Sequence, residues 1–194
     1  MLNYKILLGA ISVILAFIGY GNYFKQIFTG KAKPHAFTWF VWTLTTGIIF
    51  VAQIAQNAGA GAWVTGALCL ICFVIFITAF FKGERKFAVF DWISLIVALM
   101  SLVLWKLTKQ PALSVVLVTI TDFLGILPTI RKSYQKPFEE NATLFSLNSF
   151  RSLLSILALQ SYSLTTWLYP SMLLLANGIV VLVILIRRPQ IAKT

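Results

Sequence analysis

The stretch GAWVTGALCLICFVIFITAFFK, Gly61 to Lys82, runs twenty-two residues and meets its first charge at its last position. As a helix it rises about 33 Å at ~1.5 Å per residue, against a bilayer core about 30 Å thick. It therefore predicts a membrane-spanning helix. Six runs of the same kind surround it, at about 5–28, 36–56, 87–106, 111–131, 142–161 and 164–186. All are near-continuous rather than alternating, which favours helices: a spanning helix satisfies its own backbone hydrogen bonds, whereas strands must close into a barrel. Composition agrees. Of 194 residues, 59% are hydrophobic and only 11% charged, with a mean hydropathy of +0.89. Five acids are too few to give a soluble domain of this size its charged surface.

The net charge of +11 does not point to nucleic acid, because the basic residues cluster in short loops between apolar runs. One side of the membrane receives Lys25, Lys31 and Lys33; Lys82, Arg85 and Lys86; Arg131, Lys132 and Lys136; and Arg187, Arg188 and Lys193. The other receives Lys5, Lys106 and Lys109, while Arg151 lies within a run. A ratio of twelve to three over short loops places the N-terminus outside and the C-terminus in the cytoplasm. Seven crossings are needed for that count. The first run has no clear small-residue cleavage site after it and reads as helix 1 rather than a signal peptide. Cys69 and Cys72 sit inside an apolar run with no His near them and read as small apolar residues.

The chain repeats itself. Lys25-Gln26-Ile27 aligns with Pro128-Thr129-Ile130, and Lys33-Pro34 with Lys136-Pro137. After a two-residue insertion Thr38-Trp39-Phe40 meets Thr143-Leu144-Phe145, and Ala62-Trp63 meets Thr166-Trp167. Both basic loops fall on the same side, so the two three-helix units are parallel, and the fourth helix supplies the extra crossing. The expected domains are a first bundle at 1–84, a linker helix at 85–110 and a second bundle at 111–194. Parallel repeats are one known plan for transporters, with the solute site near the midplane between halves.

This 3+1+3 plan, the outside N-terminus and the proline-bearing ends of the first helices resemble the SWEET and PQ-loop superfamily. Of that family's Pro-Gln pair, Lys25-Gln26 keeps the Gln and Pro128-Thr129 keeps the Pro. The stretch Lys33-Pro34-His35-Ala36-Phe37-Thr38-Trp39-Phe40-Val41-Trp42 resembles a group of bacterial membrane proteins of the same plan. Its Trp-x-x-Trp pair is similar to that of vitamin-precursor carriers of the Pnu type. The resemblance implies an all-α polytopic membrane protein of seven transmembrane helices in the bacterial inner (plasma) membrane. It implies alternating-access transport of a small polar solute: a sugar, a vitamin precursor or an amino acid. The alternative is a non-transporting receptor or assembly protein on the same fold, with a solid interior in place of a cavity.

Polar groups deep in an apolar run are costly and therefore informative. Asp122 lies about 16 Å into helix 5 and Arg151 about 14 Å into helix 6 from the other side, at ~1.5 Å per residue. Consecutive helices are usually neighbours, so an Asp122–Arg151 ion pair is expected, either holding helices 5 and 6 together or opening and closing with transport. Asn148 shares Arg151's face at i,i+3, and the repeat matches these two with Thr43 and Thr46. Asn177 lies mid-helix in helix 7, where SWEET-like carriers place an Asn against the sugar; its first-half counterpart is Phe73. The candidate solute site is thus Trp42, Thr43, Thr46, Asp122, Asn148, Arg151 and Asn177. Trp42 is balanced between pocket wall and anchor, whereas Trp39, Trp63 and Trp167 read as interfacial anchors. Asp91 and His35 read as interface and loop residues. Gly21, Gly125 and Pro128 are candidate hinges, because Pro frees a carbonyl within a spanning helix.

No phosphate-binding Gly-rich loop, no Lys in helix 7, no metal-spaced cluster and no Ser-His-Asp set is present. An enzyme is not expected, nor a cofactor or metal. The expected partners are the solute and the bilayer, not nucleic acid, with the chain a monomer or small homo-oligomer.

Overall fold

Three of the described helices start where a side chain takes over a backbone donor that the first turn leaves free. Asn3 accepts from Lys5 N, His35 from Thr38 N and Asn141 from Leu144 N, while Pro111, which lacks that donor, opens the fifth helix. The computed structural model describes residues 3–30, 32–82 and 89–191, without the side chains at 90, 91 and 128. Lys31, Arg85, Lys86 and Lys193 of the charge count lie outside the described residues, as do the side chains of Asp91 and Pro128. The described elements are α1 (Tyr4–Phe28), α2 (Ala36–Ala55), a 3-10 turn (Gly59–Ala62), α3 (Trp63–Lys82), α4 (Val89–Thr108), α5 (Pro111–Gln135), α6 (Ala142–Leu157) and α7 (Leu164–Ile191).

Five helical segments are long and apolar enough to cross a bilayer: Tyr4–Phe28, Ala36–Ala55, Gly59–Lys82, Pro111–Gln135 and Leu164–Ile191. α4 has 20 residues, the length the sequence predicts, and its apolar part is described over Trp92–Thr108, whereas α6 is shorter than predicted, with 16 residues, about 24 Å at ~1.5 Å per residue. The cause in α6 is a contact with a distant part of the chain. Beyond Leu157 the chain leaves the helix, and Gln160 N donates to Ala58 O (3.0 Å) instead of to its own previous turn.

Polarity is inverted relative to a water-soluble domain. Ile14, Ile18, Leu70, Leu107, Leu175 and Leu182 are exposed, while Thr45, Gln53, Ser114, Ser155 and Thr166 are buried. Exposed apolar surface on this scale is rare on soluble monomers and is compatible with a lipid surround.

The packing order differs from the chain order. α3 packs against both α1 and α2, and α7 against both α5 and α6. Between the two groups, α1 meets α6 and α2 meets α5; α4 lies on α5 and α2. α5 and α6 are not a packed pair among the described residues. The expectation that consecutive helices 5 and 6 are neighbours therefore fails, because α7 returns to pack against both.

The 3-10 turn ties these groups together at one end. Gly9 of α1 approaches Ala60 so closely that a Cβ there would lie 2.7 Å from Ala60 O. A Cβ on Gly61 would lie 2.8 Å from both Leu159 N and Ser155 O. Ser155 Oγ donates to Gly61 O (2.7 Å), and Lys5 Nζ donates to Leu159 O (2.7 Å). Because the obstructing atoms include backbone, the site cannot yield by rotating a side chain. Gly61→Ala is expected to lower stability by about 1–3 kcal/mol, the usual cost of overpacking. The check is thermal unfolding of the purified protein, with the exposed Gly21→Ala, whose Cβ meets nothing within 4 Å, as the matched control.

Candidate functional site

A cavity of about 360 Å³ opens between the two helix groups. Its walls include Tyr20 and Tyr23 from α1, Trp39, Trp42 and Thr46 from α2, Cys72 from α3, Asp122 and Gly125 from α5, Asn148 and Arg151 from α6, and Tyr169 and Asn177 from α7. Of the seven residues singled out in the sequence, six thus line one space. The seventh, Thr43, lies outside it. Its hydroxyl donates to Trp39 O (2.8 Å), its carbonyl accepts from the Cys69 thiol (3.5 Å), and it lines an apolar groove with Phe40, Phe73, Phe76, Leu102 and Trp105.

The expected Asp122–Arg151 ion pair does not form; the described ion pairs join Lys132 and Lys136 to Glu139 and Glu140. Asp122 Oδ2 instead accepts from the Tyr169 hydroxyl (3.1 Å), across the α5–α7 contact. Arg151 Nε donates to Asn148 Oδ1 (3.0 Å) one turn back on α6. Its guanidinium carbon lies 5.7 Å from the centre of the Tyr20 ring, within the range of a cation–π contact. Each charge thus takes neutral partners from the helix group around it, because α5 and α6 do not pack.

What remains unspent differs among these residues. The Thr46 hydroxyl donates to Trp42 O (2.6 Å), and Asn177 Nδ2 donates to Leu173 O (2.7 Å), each within its own helix. Arg151 is 3% exposed, and its Nη1 is buried with no hydrogen-bond partner. A guanidinium stays charged at any ordinary pH, so this nitrogen is a strong donor without an acceptor.

One wall is aromatic. Trp39 is buried rather than an interfacial anchor. Tyr20 and Trp42 meet it edge-on, with ring centres 6.3 and 5.0 Å away, and Tyr23 lies tilted at 5.5 Å. Trp39 is buried because α1 and α3 close over its end of α2, leaving Trp42, one turn deeper, as the more open face. Trp63 and Trp167 are exposed at the starts of α3 and α7. Of the hinge candidates, Gly125 lines the cavity and Gly21 faces open space; α1 and α5 run as unbroken helices through Gly21, Gly125 and Pro128.

Sequence reading missed Tyr20, Tyr23 and Tyr169. The first two carried a usable signal, being polar aromatics at i,i+3 in the run's amphipathic last turns; Tyr169 carried none, since a lone Tyr near a helix start also suits the interface. No group of three or more His, Cys, Asp or Glu side chains able to hold a metal occurs among the described residues.

This geometry fixes which double-mutant cycles show coupling. Asp122→Leu combined with Tyr169→Phe is expected to deviate from additivity by about 1 kcal/mol, the net worth of the shared hydrogen bond. Asp122→Leu combined with Arg151→Gln is expected to add within about 0.5 kcal/mol. Denaturant unfolding in mild detergent measures both, and strong coupling in the second cycle would restore the ion pair.

Comparison with protein-family models, with curated proteins and with solved structures yields no match to this chain.

Proposed function

We propose that this chain is a seven-helix carrier or facilitator that moves a small polar solute across a membrane by alternating access. In this reading all seven helices cross the bilayer, in two parallel three-helix units linked by α4. The helix pairings support it. In each unit the third helix packs on the first and second, and each unit's first helix meets the other's second, the pattern expected of two like-oriented copies about a shared axis. α6 completes its crossing with the residues after Leu157, whose backbone is served by Ala58 and Lys5. Irregular backbone at membrane depth is tolerated where protein covers it.

The observation that carries the proposal is the cavity between the units, with Trp42, Thr46, Asp122, Asn148, Arg151 and Asn177 on its walls. Its 360 Å³ falls at the small end of pockets that hold one small molecule, about 300–1,000 Å³. The rival reading, a receptor or assembly protein, needs no such space. The resemblance to SWEET and PQ-loop carriers points the same way, with Gly125 and Pro128 placed to let α5 flex. Loop charge supports a C-terminus in the cytoplasm of a bacterial cell.

Two measurements test this. In a thermal-shift screen of sugars, amino acids and vitamin precursors, at least one ligand is expected to raise the melting temperature, since binding to the folded state alone stabilises it. Proteoliposomes carrying the wild-type chain are expected to take that ligand up at least tenfold faster than those carrying Arg151→Ala. Unchanged uptake would remove Arg151 from the mechanism. For orientation, a fluorescent-protein fusion at Thr194 is expected to glow, and an alkaline phosphatase fusion there to be inactive. The reverse result would invert the topology.

A further inference from the structure

Arg151 is the central fact of the cavity. Burying a charge without its counter-charge costs several kcal/mol, and here the side chains that hold it, Asn148 and Tyr20, bring no counter-charge. Nη1 remains without any acceptor at 3% residue exposure. Asn148, by occupying Nε, turns the guanidinium so that only its terminal nitrogens are left to offer. The missing complement is an anion, and a carboxylate matches a guanidinium in shape as well as charge.

The acidic side chain in the cavity sets a second requirement. Asp122 lines the same space and spends Oδ2 on Tyr169, with no cation bonded to it among the described residues. A solute bringing only an anion would leave the second oxygen of Asp122 without a donor. A solute with a hydrogen-bond donor at its other end satisfies both walls. The rings of Trp42, Trp39, Tyr23 and Tyr20 line the same cavity and favour a flat apolar body by stacking or edge contacts.

We propose that the cavity recognises a small planar carboxylate that also carries an N–H donor, with the carboxylate at Arg151 and the donor toward Asp122. This solute class rests on the carrier reading for its transport and on Arg151 and Asp122 alone for its binding. It separates the site from one built for an uncharged polyol, where hydroxyls would be matched by amides and neither charge would be needed.

The test uses the full-length protein in nanodiscs and titrates 3- and 4-aminobenzoate, the corresponding aminobenzamides, benzoate and cyclohexanecarboxylate, read by tryptophan fluorescence and calorimetry. At least one aminobenzoate is expected to bind about tenfold or more tightly than its amide, as a charge-assisted hydrogen bond worth ~1.5–3 kcal/mol requires. It is also expected to bind more tightly than benzoate or cyclohexanecarboxylate. Arg151→Gln abolishes the preference for carboxylate over amide, and Asp122→Asn, which keeps an acceptor for Tyr169, abolishes the preference for aminobenzoate over benzoate. Wild-type protein that binds amides as well as carboxylates, or binds none of the series, overturns the proposal, and this comparison decides even if a variant fails to fold. A folded Arg151→Gln that keeps the full carboxylate preference overturns it too. Counterflow in proteoliposomes separates the two readings. Aminobenzoates that bind but never cross would defeat carriage and leave the site, whereas amides that cross as fast as carboxylates would defeat the solute class and leave carriage.

Discussion

An unsatisfied polar group in an apolar surround costs far more than one in water, and most of this structure is an arrangement that avoids that cost. Hydroxyls are spent inside their own helices, as with Thr46 on Trp42 O, Thr121 on Leu117 O and Ser152 on Asn148 O. Gln53, fully buried in α2, donates from Nε2 to Thr166 O across to α7, although its Oε1 is without a partner among the described residues. Lys5 is drawn to a carbonyl left free where α6 ends. Against this economy the cavity stands out, because Arg151 and Asp122 are held in place by neutral neighbours and keep bonding capacity in reserve.

The same constraint explains how the helix groups are joined. Apolar side chains gain little by meeting one another in place of lipid, so association depends on close approach of small residues and on hydrogen bonds between helices. The Gly59–Ala62 turn supplies both at one end. Gly9 and Gly61 admit backbone contact, and Ser155, Lys5 and Gln160 N bond across it. At the other end, charge holds the second group to itself. Lys132 pairs with Glu140 (2.8 Å), and Arg188 donates from Nε to Pro137 O and from Nη2 to Glu140 O. These bonds tie the α5–α6 connection to the end of α7, outside the apolar zone where ions are least expensive.

Within the cavity Asp122 and Arg151 are held separately. Tyr169 steadies Asp122 from α7, and Asn148 steadies Arg151 from its own helix. Neither support neutralises the charge it holds. A direct pair would have closed the cavity by joining α5 to α6, whereas separate neutral supports keep the walls apart and leave each wall with a preference of its own.

Much of this was legible in the sequence. The seven runs, their boundaries to within a few residues and the convergence of six of the seven candidate residues on one space follow from hydropathy, depth and repeat register, which are local or one-dimensional quantities. The length of α6 was not legible, because its end is decided by Ala58, a residue distant in the chain, which takes the next backbone donor. Nor was the partner of Asp122, since adjacency in sequence suggested α6 while the packing put α7 against α5. Thr43 and Trp39 changed places for the same reason: a periodicity assigns a face to each residue, but only the neighbouring helices determine whether that face meets lipid, a packed wall or the cavity.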